Sequence, residues 1–117
     1  MPSIRDLVAA IRQRDGVDAA VVLGRDGLLI DGQLTSGLDA DVIAARIPAI
    51  IAAADELGTS TGRGELVTAV LEHRQGIAVV SALTPDAVRL VLVAPGANVG
   101  QLLLELRRNR EHIAALV

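Results

Sequence analysis

Phe, Tyr, Trp, Cys and Lys are all absent from this 117-residue chain. Each absence removes a class of function. Without aromatic rings there is no platform for stacking bases, and a net charge of −3 supplies no basic field, so nucleic acid is excluded as a partner. Without Cys there is no thiol nucleophile, no disulfide framework and no Cys-ligated zinc. His73 and His112 stand far apart and form no H-x-x-x-H pair, so neither a metal nor any other cofactor is expected. The opening stretch "MPSIRDLVAAIRQRDG" is interrupted by charge every few residues, unlike a secretory signal. The most apolar run, Ile47 to Ala54, falls far short of the ~20 residues that cross a bilayer. A cytoplasmic protein without direct membrane insertion is expected.

What remains is rich in small aliphatic residues. Hydrophobic residues make up 51% of the chain and charged ones 21%, so the core must be built from Leu, Ile, Val and Ala. Ser3 is placed to cap a first helix, with Asp6 as its acidic partner, and Ile4, Leu7, Val8 and Ile11 share one helical face up to a stop near Asp15-Gly16. "VDAAVVLG" and "LLIDGQL" flank Arg25-Asp26-Gly27, a hairpin signal. A second helix is expected from about Asp39 to Gly58, then the polar loop "GTSTGRG". Three strand runs follow, "ELVTAVLEHR", "GIAVVSAL" and "AVRLVLVA", joined across Gln75-Gly76 and Thr84-Pro85-Asp86. Asn98 is placed to cap a closing helix whose Val99, Leu102, Leu103 and Leu106 face the sheet. The order α-β-β-α-β-β-β-α has strand connections too short for crossovers. It predicts a single α/β domain over residues 1–117, with helices on the faces of an antiparallel sheet.

"VLVAPGANVGQLLLELRRNR" has the strand–glycine loop–helix look of a phosphate cradle. A Walker-type loop needs a lysine that this chain lacks, and no dinucleotide fingerprint fits the spacing of Gly96 and Gly100. The expected roles are structural: Gly96 turns the chain after Pro95, and Gly100 lets the first helical turn approach a neighbour closely. Ser81 and His73 are the only serine–histidine pair on neighbouring strands, with nothing to orient them, so no catalytic residues are assigned.

The second helix is more informative. Ile43, Ile47, Ile50, Ile51 and Ala54 fall on one side, toward the sheet. The opposite side carries Val42, Ala45, Ala49, Ala52 and Ala53, with only Glu56 and neighbouring Arg46 charged. A helix apolar all round is normally covered all round, and one sheet covers one side. The other side is therefore expected to meet a second copy across a two-fold axis. Pro48 should kink this helix, or else marks a break in it. The run Glu65 to Arg74 reads as an edge strand, with Leu66, Thr68 and Val70 alternating against Val67, Ala69 and Leu71. Such an edge can pair with its own copy.

Taken together, "GVDAAVVLGRDGLLID", "LGTSTGRGELVTAVLEHRQG" and above all "VAPGANVGQLLLELRR" resemble the roadblock/dynein light chain family, including bacterial mutual-gliding regulators of Ras-like GTPases. The resemblance implies a five-stranded antiparallel sheet, with the first and third helices on one face and the second on the other. It further implies a non-catalytic homodimer, formed through the second helix and third strand, that binds a small Ras-like GTPase and modulates its nucleotide cycle. Alternatives are an adaptor or scaffold without effect on nucleotide turnover, direct help to hydrolysis by Arg63 as an arginine finger, or a small-ligand sensor. Few polar groups in the sequence converge on an apolar pocket, which argues against the sensor.

Overall fold

The structure, a computed structural model, describes residues 2–117. Its elements run α1 (Ile4–Arg12), β1 (Val17–Gly24), β2 (Leu29–Leu34), α2 (Ala40–Ser60), β3 (Thr68–His73), β4 (Gly76–Ala82), β5 (Ala87–Val93) and α3 (Val99–Ala114). All strand pairs are antiparallel, in the order β2-β1-β5-β4-β3. The central pair, β1 with β5, joins the first and last strands of the chain.

Both central strands are buried on both faces, and alternation along them divides the core. Ala20, Val22, Val91 and Val93 face α1 and α3, meeting Val8, Ile11, Leu102, Leu106 and Ile113. Val21, Leu23, Val88 and Leu90 face α2, meeting Ala44, Ile47 and Ile51. The two-and-one arrangement of helices expected from the sequence is therefore present. At about 25 cal/mol per Å² of apolar surface, these aliphatic layers are the main source of stability.

Helix ends follow local chemistry. Ser3 and Asp6 form a reciprocal capping box on α1. The Ser3 backbone N–H, and then its hydroxyl, hold the Asp6 carboxyl below its ordinary range. This contribution is present above the ordinary carboxylate pKa and is lost as pH falls through the depressed value. α1 stops at Arg12, earlier than Asp15-Gly16, and Gly16 turns into β1 with φ +83°. Asp39 caps α2 by accepting from the Asp41 and Val42 N–H groups.

α2 is one unbroken helix through Pro48. An added Cβ on Gly27 would lie 3.2 Å from Pro48 Cγ, so the proline ring packs over the β1–β2 turn, where Gly27 has φ +90°. The helix also runs past Gly58 to Ser60, with Thr61 as C-cap and Gly62 beyond it at φ +70°. Gly58 serves a different purpose. Its carbonyl accepts from the N–H groups of Arg63 and Gly64, and a Cβ there would fall 1.8 Å from the Gly64 carbonyl oxygen.

Strand β3 begins at Thr68 rather than Glu65. The Asp55 carboxylate on α2 accepts the Leu66 N–H (2.7 Å) and pairs with Arg25 in the β1–β2 turn. This holds the lead-in to β3 against the helix. Gly58→Ala must push the 58–64 loop apart and is expected to cost about 1–3 kcal/mol, as overpacking does. Urea unfolding followed by circular dichroism at 222 nm checks this, since the chain has no aromatic chromophore.

Candidate functional site

The outward side of α2 forms a continuous stripe. Val42, Ala45, Ala49, Ala52, Ala53 and Glu56 are all exposed on it, as are Arg46 and Leu57, and Val42 keeps 54% and Leu57 67% of its surface. The inward side is Ala44, Ile47 and Ile51, fully buried, with Ile43 and Ile50 half-buried beside them. Ala44 was not among the residues assigned to that side from the sequence.

Strand β3 lies at one edge of the sheet, and its lead-in is tied to the same helix through the Leu66 N–H and the Asp55 carboxylate. Its Ala69 and Leu71 join the α2 core, so Thr68 and Val70 point to the opposite, α3 side. Val70 is 47% exposed there. Leu66 lies ahead of the strand, half-buried in the α2 core, and does not share a face with Thr68 and Val70. Arg63 is exposed in the loop after α2, with its guanidinium donating to the Thr61 carbonyl at 2.9 Å.

The glycine loop before α3 is accounted for by the helix it starts. The Asn98 side chain accepts the Gln101 N–H at 3.0 Å, and Gly96 turns with φ +84°. Gly100 has no close neighbour, since an added Cβ would meet only Asn98 Oδ1 at an ordinary 3.7 Å. The close approach expected there is absent. Ser81 and His73 lie at opposite ends of the β3–β4 ladder, Ser81 opposite Thr68 and His73 opposite Gly76. Among the described residues, no cluster of three metal-ligating side chains exists.

A charged group lies in the core. Arg89, on the central strand β5, is only 2% exposed. One guanidinium nitrogen, Nη2, donates to the Leu106 carbonyl of α3 at 3.0 Å, while Nε and Nη1 have no hydrogen-bond partner. Among the described residues, the two ion pairs are Arg14–Glu105 and Arg25–Asp55, and neither involves Arg89. Asp31 sits on the same transverse row of the sheet, but Val22 on β1 intervenes, about 10 Å of strand spacing. Desolvation first, and the charge of Arg110 second, push the Arg89 pKa down to about 10. It is still a cation at neutral pH.

The Roadblock/LC7 domain family model matches residues 4–94. This chain belongs to the Roadblock/LC7 family. The match ends at Ala94, so it does not take in the closing helix, on which the resemblance read from the sequence leaned most. Protein MJ1340 of Methanocaldococcus jannaschii is 28% identical over 109 residues, covering 91% of this chain and 92% of that one. A Roadblock/LC7 domain from Streptomyces avermitilis superposes with a TM-score of 0.86 at 22% identity, covering 97% of each chain. The gliding protein MglB from Thermus thermophilus gives 0.86 at 16% identity, covering 97% of this chain and 87% of MglB. At these identities the two structures establish the fold.

The sequence carries a signal for Arg89: it is the only charge within "AVRLVLVA". A lone charge inside an apolar run on a central strand must be buried, because both faces of that strand are covered. For stability alone, this Roadblock/LC7 domain would do as well without it. Arg89→Met is expected to leave the domain folded and as stable, or more stable by up to about 4 kcal/mol. Thermal unfolding near pH 7 checks this, and a marked loss of stability would make the buried charge a structural necessity.

Proposed function

We propose that this Roadblock/LC7 domain is a non-catalytic, homodimeric regulatory module that binds a small Ras-like GTPase and modulates its nucleotide cycle. The observation that carries the reading is the exposed alanine stripe on α2, together with an edge strand, β3, whose lead-in is tied to that helix through Asp55. Alanines let two helices approach closely across a two-fold axis, and the free edge has unpaired backbone groups to offer its copy. Pairing both at once buries Val42, Ala45, Ala49, Ala52 and Ala53 and extends the sheet. Family membership supports an interaction module, and the GTPase partner follows from the sequence resemblance to bacterial mutual-gliding regulators of Ras-like GTPases. Arg63 then contributes contact rather than chemistry.

Light scattering is expected to give twice the chain mass of 12.1 kDa. Ala49→Glu places like charges at the two-fold, costing several kcal/mol, and should yield monomers. A monodisperse wild-type monomer would refute the dimer. Adding the wild-type protein to a Ras-like GTPase of the same organism should change single-turnover GTP hydrolysis or nucleotide release, and Arg63→Ala should preserve that change. Binding with neither rate altered would favour a scaffold. Loss of a hydrolysis effect in Arg63→Ala would instead identify an arginine finger, worth about 10³-fold or more in rate.

A further inference from the structure

Thr68, Ser81 and Arg89 are register partners on three adjacent strands, so their side chains form one row on the α3 side of the sheet. Above that row, α3 presents Arg107 and Arg110. The space between is a cleft of about 350 Å³ with these five residues in its walls and Arg89 buried at its base. Among the described residues, no carboxylate lines it.

We infer that this cleft binds a small organic anion through a phosphate or carboxylate group, with Arg89, Arg107 and Arg110 as the cationic wall and Ser81 and Thr68 as hydroxyl partners. Three observations converge on it, and one general property of guanidinium groups. The Arg89 guanidinium is held in place by the Leu106 carbonyl, yet keeps two buried nitrogens, Nε and Nη1, without partners among the described residues. Its neighbours add positive charge: Arg110 acts on Arg89 through its own charge, and Arg107 is exposed at the rim. The concentration of cations opposes the overall charge of −3. A guanidinium fork matches the geometry of a phosphate or carboxylate.

Arg107 and Arg110 also suit the C-terminal half of a helix, where cations complement the dipole. That accounts for cations on α3 but not for a third one buried beneath them. The remaining wall decides the ligand's other end. Val67, Leu103 and Leu106 are apolar, so the anionic head should carry a short aliphatic body. The volume lies at the small end of ligand sites, which begin at about 300 Å³. The cleft is on the face away from α2, so neither the dimer nor a GTPase is needed to form it.

The test is a titration of the ¹⁵N-labelled protein, with backbone amide shifts as readout and ionic strength held constant with sodium chloride. Inorganic phosphate and butyl phosphate are the two probes. Saturable shifts confined to Thr68, Ser81, Arg89 and the 103–110 segment of α3 are expected, with butyl phosphate binding several-fold more tightly. The double variant Arg107→Gln/Arg110→Gln keeps the core intact and should weaken binding about tenfold or more. Arg89→Met should abolish it, and if that variant does not fold, the rim variant decides alone. Tighter binding of butyl phosphate identifies an organic ligand, whereas equal affinities would overturn the assignment to an organic anion. Shifts that fail to saturate, that spread over all arginines, or that persist unchanged in the rim variant would overturn the site. Repeating the titration on Ala49→Glu separates it from the proposed dimer: saturation in that monomer is expected, and its loss there would overturn a site complete within one chain.

Discussion

The pairing of β1 with β5 is the constraint on which the rest of the molecule depends. It runs from Val17 opposite Val93 to Gly24 opposite Ala87, and brings together strands from the two ends of the chain. Because these strands sit at the centre, each must be apolar on both faces, and the helices must be shared between the faces. The loop entropy spent in closing so long a stretch is recovered by the aliphatic layers on either side. With β1 and β5 fixed in the middle, the hairpin partners β2 and β4 take the flanks. β3 is left at an edge.

The surface of interest follows from that placement. α2 crosses over on the side opposite α1 and α3, where only the sheet can cover it, so its second side stays outward. Asp55 ties the helix both to the β1–β2 turn through Arg25 and to the lead-in of β3 through the Leu66 N–H. The alanine stripe and the free strand edge are thus held to one scaffold. On the far side, the same central strand that organises the core carries Arg89, whose burial is imposed by α3 above it. The alanine stripe of α2 and the cationic cleft occupy opposite faces of one sheet, and the cleft reaches β3 at Thr68.

The element order was legible because each boundary had its own local chemistry: Ser3 with Asp6, Asp26-Gly27, Asp39, Pro85 and Asn98. So was the sidedness of α2, from the spacing of its isoleucines and alanines. What stayed hidden depended on contacts distant in sequence. Helical pattern alone could not say whether Pro48 breaks α2, because the answer lies in its packing against Gly27. Glu65 to Val67 read as strand, but Asp55 captures the Leu66 N–H and turns that leucine inward. Gly58 read as a stop, whereas its real constraint is the Gly64 carbonyl. Arg89 was visible as an isolated charge, yet its lack of a counter-ion emerges only when α3, β4 and β3 are assembled around it.

The central claim is that the edge of β3 and the alanine side of α2 are covered together by a second copy. Amide hydrogen exchange along Thr68–His73 reads this directly, because the N–H groups that do not bond to β4 have no partner within one chain. In a dimer paired through β3, those outward amides should be protected comparably to the β4-bonded ones, and should lose that protection on dilution and in Ala49→Glu. Rapid exchange of the outward amides at every concentration, with the β4-bonded ones protected throughout, would contradict it.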